Sequence, residues 1–477
     1  MSDVKKKLDS LMKQHQLQTG AEWERVRAER PAPERRAAPI SSEGPEETPQ
    51  PQRLRELLDR LAMIPASESY RRREEEELRR ESGALDVQQV IGGEIIGDDD
   101  SAFLLLRRDY PIEHRQGKVA LGTALETASH HIAFSACDPS LGDFDPRKTL
   151  FVDTETIGLS GGTGTIAFLV GMGYFTESAF RLDQCFLRDY DDEAAMLRCV
   201  AELVGRHEAL VSYNGKSFDL PLLRTRFIQN RIPFRADAIL HLDLVHVARR
   251  FWKRRLADCS LGNIEREILG VQRQGDVPSF LIPQLWFEYL RSRDARPLEG
   301  VFYHHRMDIL SLAALTGWVS QCLEAPAGDG FHYQEDRLSV VRVYFQQRRY
   351  QEVLEHGERF LELEAASPLR QECLEMLGLA CKRLHAWEKM ERVWEQLAAE
   401  FPRTLIAYLE LAKHYEHRCR DLLRAEAVCR RALEHLQEES GVRAVYSLQD
   451  PEPLHRRLDR IRRKLGKVTG LSGEDLL

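Results

Sequence analysis

The chain has 477 residues, of which 43% are hydrophobic and 30% are charged, and its formal net charge is −8. This length is too great for one hydrophobic core and predicts two or three domains. The negative charge excludes a general attraction of the whole chain to nucleic acid, so a polyanion must be held by a local basic patch or by metal ions.

The sequence also limits the compartment. It has no run of eighteen apolar residues, and its first residues lack the apolar core of a signal peptide, so we expect a cytoplasmic protein with no membrane contact. The nine cysteines show neither a C-x-x-C pair nor zinc-type spacing, which indicates reduced thiols that mostly pack in cores.

The first two segments differ in composition. Residues 1–82 are rich in Arg, Glu and Pro, which predicts a largely disordered stretch with short helices at DVKKKLDSLMKQ and PQRLRELLDRLAMI. In residues 83–147, glycines separate short apolar runs such as EIIG and AFLLL, and this pattern predicts a small β-rich lobe.

Residues 148–325 alternate between strand and helix patterns. TLFVDTE, AFLVGMGYF and FRLDQCFL predict three successive strands, and ALVSYN predicts a fourth. DDEAAMLRCVAELVGR and DLPLLRTRFIQN predict helices, and MDILSLAALTGWVSQCL closes the region as an apolar helix. The order indicates an α/β fold with a mixed sheet and helices on both faces.

Residues 335–440 are predicted to be helical throughout. Gly378 and Ala412 are 34 positions apart, and each is followed by a helix, a short turn and a second helix. That period is typical of tetratricopeptide (TPR) repeats. A plain helical bundle is the alternative, and residues 441–477 are expected to form a C-terminal helical tail.

Four acids stand at the ends of predicted elements. Asp153 and Glu155 alternate on one strand and therefore share a face, while Asp219 and Asp308 begin helices. The simpler interpretation is that the first two are solvated on an edge strand and the other two cap helices. If the four converge, they repel one another unless cations lie between them, and oxygen ligands suit two Mg²⁺ or Mn²⁺ ions. Such a pair of ions is the usual device for phosphodiester cleavage.

Three segments, DTET (153–156), NGKSFD (214–219) and HHRMD (304–308), resemble in order the three motifs of the DEDD superfamily of 3′→5′ exonucleases. That superfamily has the ribonuclease H-like fold. YPIEHRQGKVALG, HLDLVHVARRF and CSLGNIEREILG, together with the helical repeats, resemble more narrowly its YprB-like branch. We call the three segments the first, second and third motifs.

The resemblance implies roles for particular residues. Asp153, Glu155, Asp219 and Asp308 would be the metal ligands, and the general base would be a histidine five residues before the last Asp or a tyrosine four before it. Here Tyr303 and His304 occupy each other's positions. His304 shares a helix face with Asp308 if the helix already runs at 304, which favours His304, and Tyr303 is the alternative. Asp243 is a further acid near the site and is expected either to have a structural role or to support the metal ligands from behind.

A basic and aromatic stretch, HVARRFWKRR (246–255), predicts a surface for single-stranded nucleic acid. The expected contacts are Asn214, Phe218, Arg249, Arg250, Trp252 and Lys253. The alternative is a solvated helix face with two buried aromatic residues.

The function that follows is a metal-dependent 3′→5′ exonuclease acting on RNA or single-stranded DNA. Two other functional hypotheses are consistent with the sequence. One is a non-catalytic nucleic-acid-binding scaffold that recruits a protein partner through the helical repeats. The other is a phosphoesterase that acts on a nucleotide. The sequence contains no recognition module that distinguishes RNA from DNA.

Overall fold

The computed structural model describes residues 83–98, 101–158, 164–234, 239–324, 331–437 and 451–469. These residues belong to one compact unit, Glu68–Leu477. The segment predicted to be disordered, 1–82, lies outside the described residues, as do its two predicted helices and parts of the C-terminal tail.

A seven-stranded mixed sheet forms the centre of the protein, as the alternating pattern predicts. The strands in chain order are β1 (Glu94–Gly97), β2 (Ala102–Pro111), β3 (Arg115–Gln116), β4 (Val119–Ala120), β5 (Thr149–Thr156), β6 (Ala167–Phe175), β7 (Ala179–Phe186), β8 (Ala209–Ser212) and β9 (Leu240–Asp243). The sheet order is β1-β2-β7-β6-β5-β8-β9, and β3 with β4 forms a separate two-stranded ribbon. β8 and β9 run parallel to β5, whereas the other pairs in the sheet are antiparallel.

Strand β5 lies between β6 and β8 near the centre of the sheet, and its apolar half is buried on both faces. Leu150 and Val152 belong to the core on one side of the sheet, and Phe151 belongs to the core on the other side. Side chains alternate along a strand, so Asp153 and Glu155 continue the face of Phe151. The apolar half of the strand therefore places the two acids at its carboxyl end.

The segment predicted as a separate β-rich lobe is part of the main sheet. β2 pairs with β7 from Leu104 to Pro111, and β1 extends the sheet at its edge. Phe103 and Leu104 are almost completely buried in the same core as Leu150. An apolar strand that is buried on both faces needs other elements packed against each face. A small isolated lobe would not supply them.

Helices cover both faces of this sheet. Their bounds are α1 (Val87–Ile91), α2 (Ser129–Ala136), α3 (Glu193–Gly205), α4 (Asp219–Gln229), α5 (Leu244–Trp252), α6 (Leu261–Ile264), α7 (Ile282–Ser292) and α8 (Leu298–Glu324). A π-helical turn, Glu265–Leu269, continues α6. Helix α8 approaches β6 closely where that strand has glycines: a Cβ on Gly173 would lie 2.6 Å from Ile309. The glycines of AFLVGMGYF thus let the helix of the third motif rest on the sheet.

The rest of the described chain is helical. Its helices are α9 (Gln334–Gln346), α10 (Tyr350–Leu363), α11 (Arg370–Arg383), α12 (Trp387–Glu400), α13 (Leu405–His414), α14 (Leu422–Gln437) and α15 (Glu452–Thr469). Each packs against the next in the chain. Gly378 and Ala412 take corresponding places in α11 and α13, so the period of 34 matches a pair of helices; the TPR-like assignment stays a prediction. Among the described helices, none is long and apolar enough to cross a membrane.

The helical region and the sheet region share a core. Val340 and Val343 of α9 pack in the same cluster as Phe251 and Trp252 of α5. At the same junction Arg255 forms a buried ion pair of 3.0 Å with Asp336. The boundary predicted near residue 335 is therefore a packed interface.

Candidate active site

The first motif places its two acids at the end of β5. Asp153 lies opposite Gly171 of β6, and Glu155 lies opposite Leu169. The pairing shifts register between Glu155 and Thr156, an irregularity of the kind that re-aims side chains beside active sites. Both carboxylates remain partly accessible at this end of the strand.

The second motif is a turn between β8 and α4. Asn214 adopts a left-handed backbone conformation with φ 67°. Asp243 accepts hydrogen bonds from the backbone N–H groups of Asn214, at 2.7 Å, and Lys216, at 3.0 Å, which fits the structural role expected for it. Asp219 is buried and accepts a hydrogen bond from the Thr154 hydroxyl. The first and second motifs are therefore joined directly.

The third motif lies inside a helix, not at its start. The sequence predicted that an apolar helix begins near Asp308, but α8 begins at Leu298 and has 27 residues. The helix runs through position 304, which was the condition for His304 and Asp308 to share one helix face. They therefore do share it. Tyr303 points elsewhere, and its hydroxyl accepts a 3.4 Å hydrogen bond from the Gln274 N–H.

These elements bring three ligand atoms to one point. One atom each from Glu155, His304 and Asp308 lies within 4.8 Å of the others. Asp153 and Asp219 are close enough to interact electrostatically with the same group. A set of carboxylate oxygens and one imidazole nitrogen at this spacing fits a divalent cation.

An arginine that the sequence analysis did not identify lies against this cluster. Arg273 forms two bonds of 2.6 Å to the buried Glu265, an ion pair with Asp308, and a 3.2 Å ion pair with Asp276. Asp276 in turn bonds to Nδ1 of His304 at 2.9 Å. Arg273 and Asp276 appear in the sequence as R-x-x-D within VQRQGDVPSF. Nothing in this local pattern indicates that the two charged side chains are buried.

The crowded carboxylates have shifted pKa values. Burial raises the pKa of Asp153 well above its usual value, and the charges of Asp308, Asp219 and Glu155 raise it further. Burial, with Asp308, raises the pKa of Glu155 to about 8. Burial also raises the pKa of Asp219 to about 6, although the hydrogen bond from Thr154 opposes this. Arg273 alone therefore does not compensate these carboxylates when all of them are ionised.

The residues predicted to contact nucleic acid differ in their accessibility. Trp252, like Phe251, is fully buried, so it offers no ring face to a base and we remove it from the predicted surface. Arg250 donates to the backbone carbonyl of Ser135 at 3.1 Å. Arg249, Lys253 and Asn214 stay accessible, and Phe218, beside Asp219, is 53% exposed.

Comparison with known proteins agrees with this architecture. Residues 150–320 match a family described as RNase_H superfamily, and the matched range begins in β5 and ends in α8. It contains all four acids and His304. Residues 150–320 are a ribonuclease H superfamily domain. The seven-stranded mixed sheet with helices on its faces confirms the predicted ribonuclease H-like fold.

The resemblance extends beyond the ribonuclease H-like domain. The chain is 29% identical over 374 residues to "Uncharacterized protein YprB" of Bacillus subtilis (strain 168). The alignment covers 77% of this chain and 87% of that protein, which confirms the predicted resemblance to the YprB-like branch.

Proposed function

We propose that this chain is a metal-dependent 3′→5′ exonuclease that hydrolyses phosphodiester bonds in RNA or single-stranded DNA. The observation that carries the proposal is the cluster of Glu155, His304 and Asp308, whose ligand atoms lie within 4.8 Å of one another. Ribonuclease H-like nucleases generally use divalent metal ions, and this donor set suits them.

Four carboxylates would hold the metal ions. In the proposal, Asp153, Glu155, Asp219 and Asp308 bind two Mg²⁺ or Mn²⁺ ions, since hard divalent cations prefer oxygen ligands. When bound, such a pair of ions would supply activation of the attacking water and stabilisation of the leaving oxygen. The chain supplies rigidity: Thr154 fixes Asp219, and the glycine-lined contact of α8 with β6 fixes Asp308 relative to Asp153.

His304 is the fifth residue of the proposed centre. The resemblance implies that it accepts a proton from the attacking water. Its ring is held by Asp276, and burial, which opposes the charged form, is outweighed by Asp276 and Asp308, so its pKa is raised.

The substrate strand would lie against the second motif. Phe218 exposes its ring beside Asp219, where a base can stack, and Lys216 is exposed on the same turn, where it can meet a phosphate. Asn214, Arg249, Arg250 and Lys253 complete the proposed surface. Stacking on an aromatic ring requires an unpaired base, which favours single strands over duplexes.

A non-catalytic scaffold is the second candidate, and one observation favours it. Arg273 already gives Asp308 a cationic partner within the chain, so part of the charge at the centre is compensated without metal. In this reading the ribonuclease H-like domain binds nucleic acid, and the TPR-like helices α9 to α14 recruit a protein partner.

A nuclease assay separates the two candidates. The full chain is incubated with 5′-labelled single- and double-stranded RNA and DNA in Mn²⁺ or Mg²⁺, alongside Asp153→Ala. As a matched control we choose Asp143→Ala, because Asp143 is an exposed acid outside the site. A ladder that shortens from the 3′ end in wild type and the control, and is absent in Asp153→Ala, supports the exonuclease. Binding without cleavage under every condition supports the scaffold.

A further inference from the structure

One nitrogen of His304 faces two carboxylates. Its Nε2 lies 3.4 Å from Oδ2 of Asp308, and a carboxylate oxygen of Glu155 lies within the same 4.8 Å cluster. The Ser279 hydroxyl is 3.3 Å from Nε2. The imidazole is largely buried, with 11% of its side chain exposed, so its orientation is set by these neighbours.

The other nitrogen shows which atom carries the hydrogen. Nδ1 lies 2.9 Å and 3.1 Å from the two carboxylate oxygens of Asp276, which accept hydrogen bonds. Nη1 of Arg273, which can only donate, lies farther from Nδ1, at 3.3 Å. The shorter contacts to Asp276 assign the hydrogen to Nδ1, so in the neutral ring Nε2 presents its lone pair. A metal-binding histidine almost always donates its other ring N–H to a carboxylate, a backbone carbonyl or water, and Asp276 provides such a partner here.

The distance between Nε2 and Asp308 supports a shared ion. A lone pair on Nε2 and a carboxylate oxygen of Asp308 repel each other unless a proton or a metal ion lies between them. A metal ion at this position would displace the proton from Nε2. Ligand atoms about 2.0–2.2 Å from one ion are separated by roughly 3.0–3.5 Å at the usual angles between neighbouring ligands. The observed 3.4 Å lies in this range.

We propose that His304 is a metal ligand, which binds through Nε2 together with Asp308 and Glu155, and that the ion at this position is a divalent transition metal rather than Mg²⁺. The inference rests on the proposed metal-dependent function and specifies its cofactor. Mg²⁺ takes oxygen ligands and rarely an imidazole, whereas divalent transition metals accept both. Asp276 is then a positioning residue that holds the ring.

This role differs from that of a general base. A nitrogen that gives its lone pair to an ion cannot at the same time accept a proton from water. The two roles of His304 therefore predict different surroundings for a bound ion. A metal ligand places a histidine nitrogen directly on the ion, whereas a general base does not.

Pulsed electron paramagnetic resonance with Mn²⁺ reads the ligand nitrogen directly. The full chain is loaded with Mn²⁺, and the electron-spin-echo modulation is recorded with natural and with ¹⁵N-labelled histidine. We expect a ¹⁴N modulation that changes to ¹⁵N on labelling. His304→Gln should lose it, and His455→Ala, which removes an exposed histidine of α15, should keep it. Bound Mn²⁺ without histidine modulation in wild type overturns the inference.

Calorimetry of metal binding gives a second measurement that needs no substrate. Asp276→Asn keeps the shape of the side chain but weakens its hold on Nδ1, and loss of such a partner typically lowers metal affinity by about 10–100-fold. We expect a loss of that size for Mn²⁺ and a smaller one for Mg²⁺. Equal affinities in wild type and Asp276→Asn overturn the positioning role. Circular dichroism of each variant shows whether it is folded.

The outcome is separable from that of the proposed function. Histidine modulation without cleavage of any nucleic acid supports the proposed metal site and contradicts the proposed nuclease activity. Cleavage together with an Mn²⁺ spectrum that lacks histidine modulation supports the nuclease and contradicts the metal-ligand role. His304 would then keep the role of proton acceptor. An absence of metal binding removes both.

Discussion

Nε2 of His305 lies 3.1 Å from the backbone carbonyl oxygen of Asp153, so helix α8 is hydrogen-bonded directly to strand β5 at the first acid of the site. The Gln184 side chain donates to Nδ1 of the same ring at 3.1 Å, which leaves the hydrogen on Nε2. Burial lowers the pKa of His305 to about 4, so the ring stays neutral and keeps this bond at physiological pH. The buried histidine thus fixes the third motif against the first.

Gly171→Ala should disturb this contact. A Cβ at position 171 would lie 2.4 Å from Cε1 of His305, whose ring is held on both sides and cannot move aside cheaply. Overpacking of this kind typically costs about 1–3 kcal/mol. We expect a lower urea midpoint together with reduced Mn²⁺ affinity, because Asp308 shifts relative to Asp153.

Gly205→Ala is the matched control for that substitution. Gly205 ends helix α3, and a Cβ there meets no atom within 4 Å. Its stability should be unchanged or rise by up to about 1 kcal/mol, since glycine is unfavourable in helices. If Gly171→Ala is as stable as this control, the contact between His305 and β6 is looser than the structure shows.

Arg273→Met should destabilise the protein strongly. The guanidinium compensates Asp308 and the buried Glu265, and removal of one partner of a buried ion pair typically costs about 3–5 kcal/mol. Added Mn²⁺ should restore more stability to this variant than to wild type, because the ion replaces the missing positive charge. Chemical denaturation with and without Mn²⁺ measures both effects.

Arg206→Met provides the comparison for Arg273. Arg206 pairs with Glu202 on the surface of α3, where both side chains are about two-thirds exposed. Surface pairs contribute about 0–1 kcal/mol, so this variant should unfold close to wild type. Similar losses in the two variants would contradict a buried ion network at the third motif.

The sequence predicted the elements that depend on local pattern. Strands β5 to β8 and helix α4 follow from apolar runs bounded by turn residues. The start of α8 was predicted about ten residues too late, because HHRMD looks like an exposed, polar segment. His305 is instead buried by Gln184 and Asp153, which lie more than 100 residues earlier in the chain.

Contacts between distant segments account for the other differences. Arg273 and Asp308 are 35 residues apart, and β2 finds its partner in β7 some 75 residues later, so no periodicity connects them. The burial of Trp252 follows from packing against α9, which belongs to the next region of the chain. Asp153, Glu155 and Asp219 lie at the end of a strand or the start of a helix, which local patterns do reveal, whereas Asp308 lies inside α8.

The metal-free protein should lose stability as pH rises from about 5 to 8. The pKa of Glu155 is raised to about 8 in the folded state, from an ordinary value of 4.5. Between these values the unfolded chain binds fewer protons than the folded chain, so stability is present at low pH and falls as pH increases. Glu155→Gln should flatten this slope in urea denaturation with EDTA. An identical slope in both proteins contradicts the shift.

Glu416→Gln should loosen the C-terminal helix. Glu416 is buried at 4% exposure and pairs with three cations of α15: Arg457 at 2.6 Å, Arg460 at 2.6 Å and Lys464 at 2.7 Å. Without the carboxylate these cations repel one another, and the expected loss is about 3–5 kcal/mol. Limited proteolysis should then cut the chain before α15 faster than in wild type.

The pH dependence of this cluster has the opposite sign to that of Glu155. Burial opposes the charge of Glu416, but Arg460 and Lys464 outweigh it and lower its pKa to about 2. The stability from this group is therefore present above pH 4.5 and lost as pH falls toward 2. Glu452→Gln, which removes an exposed ion pair on the same helix, should cost at most about 1 kcal/mol and keep that acid transition. If Glu416→Gln also keeps it, another group holds α15 in place.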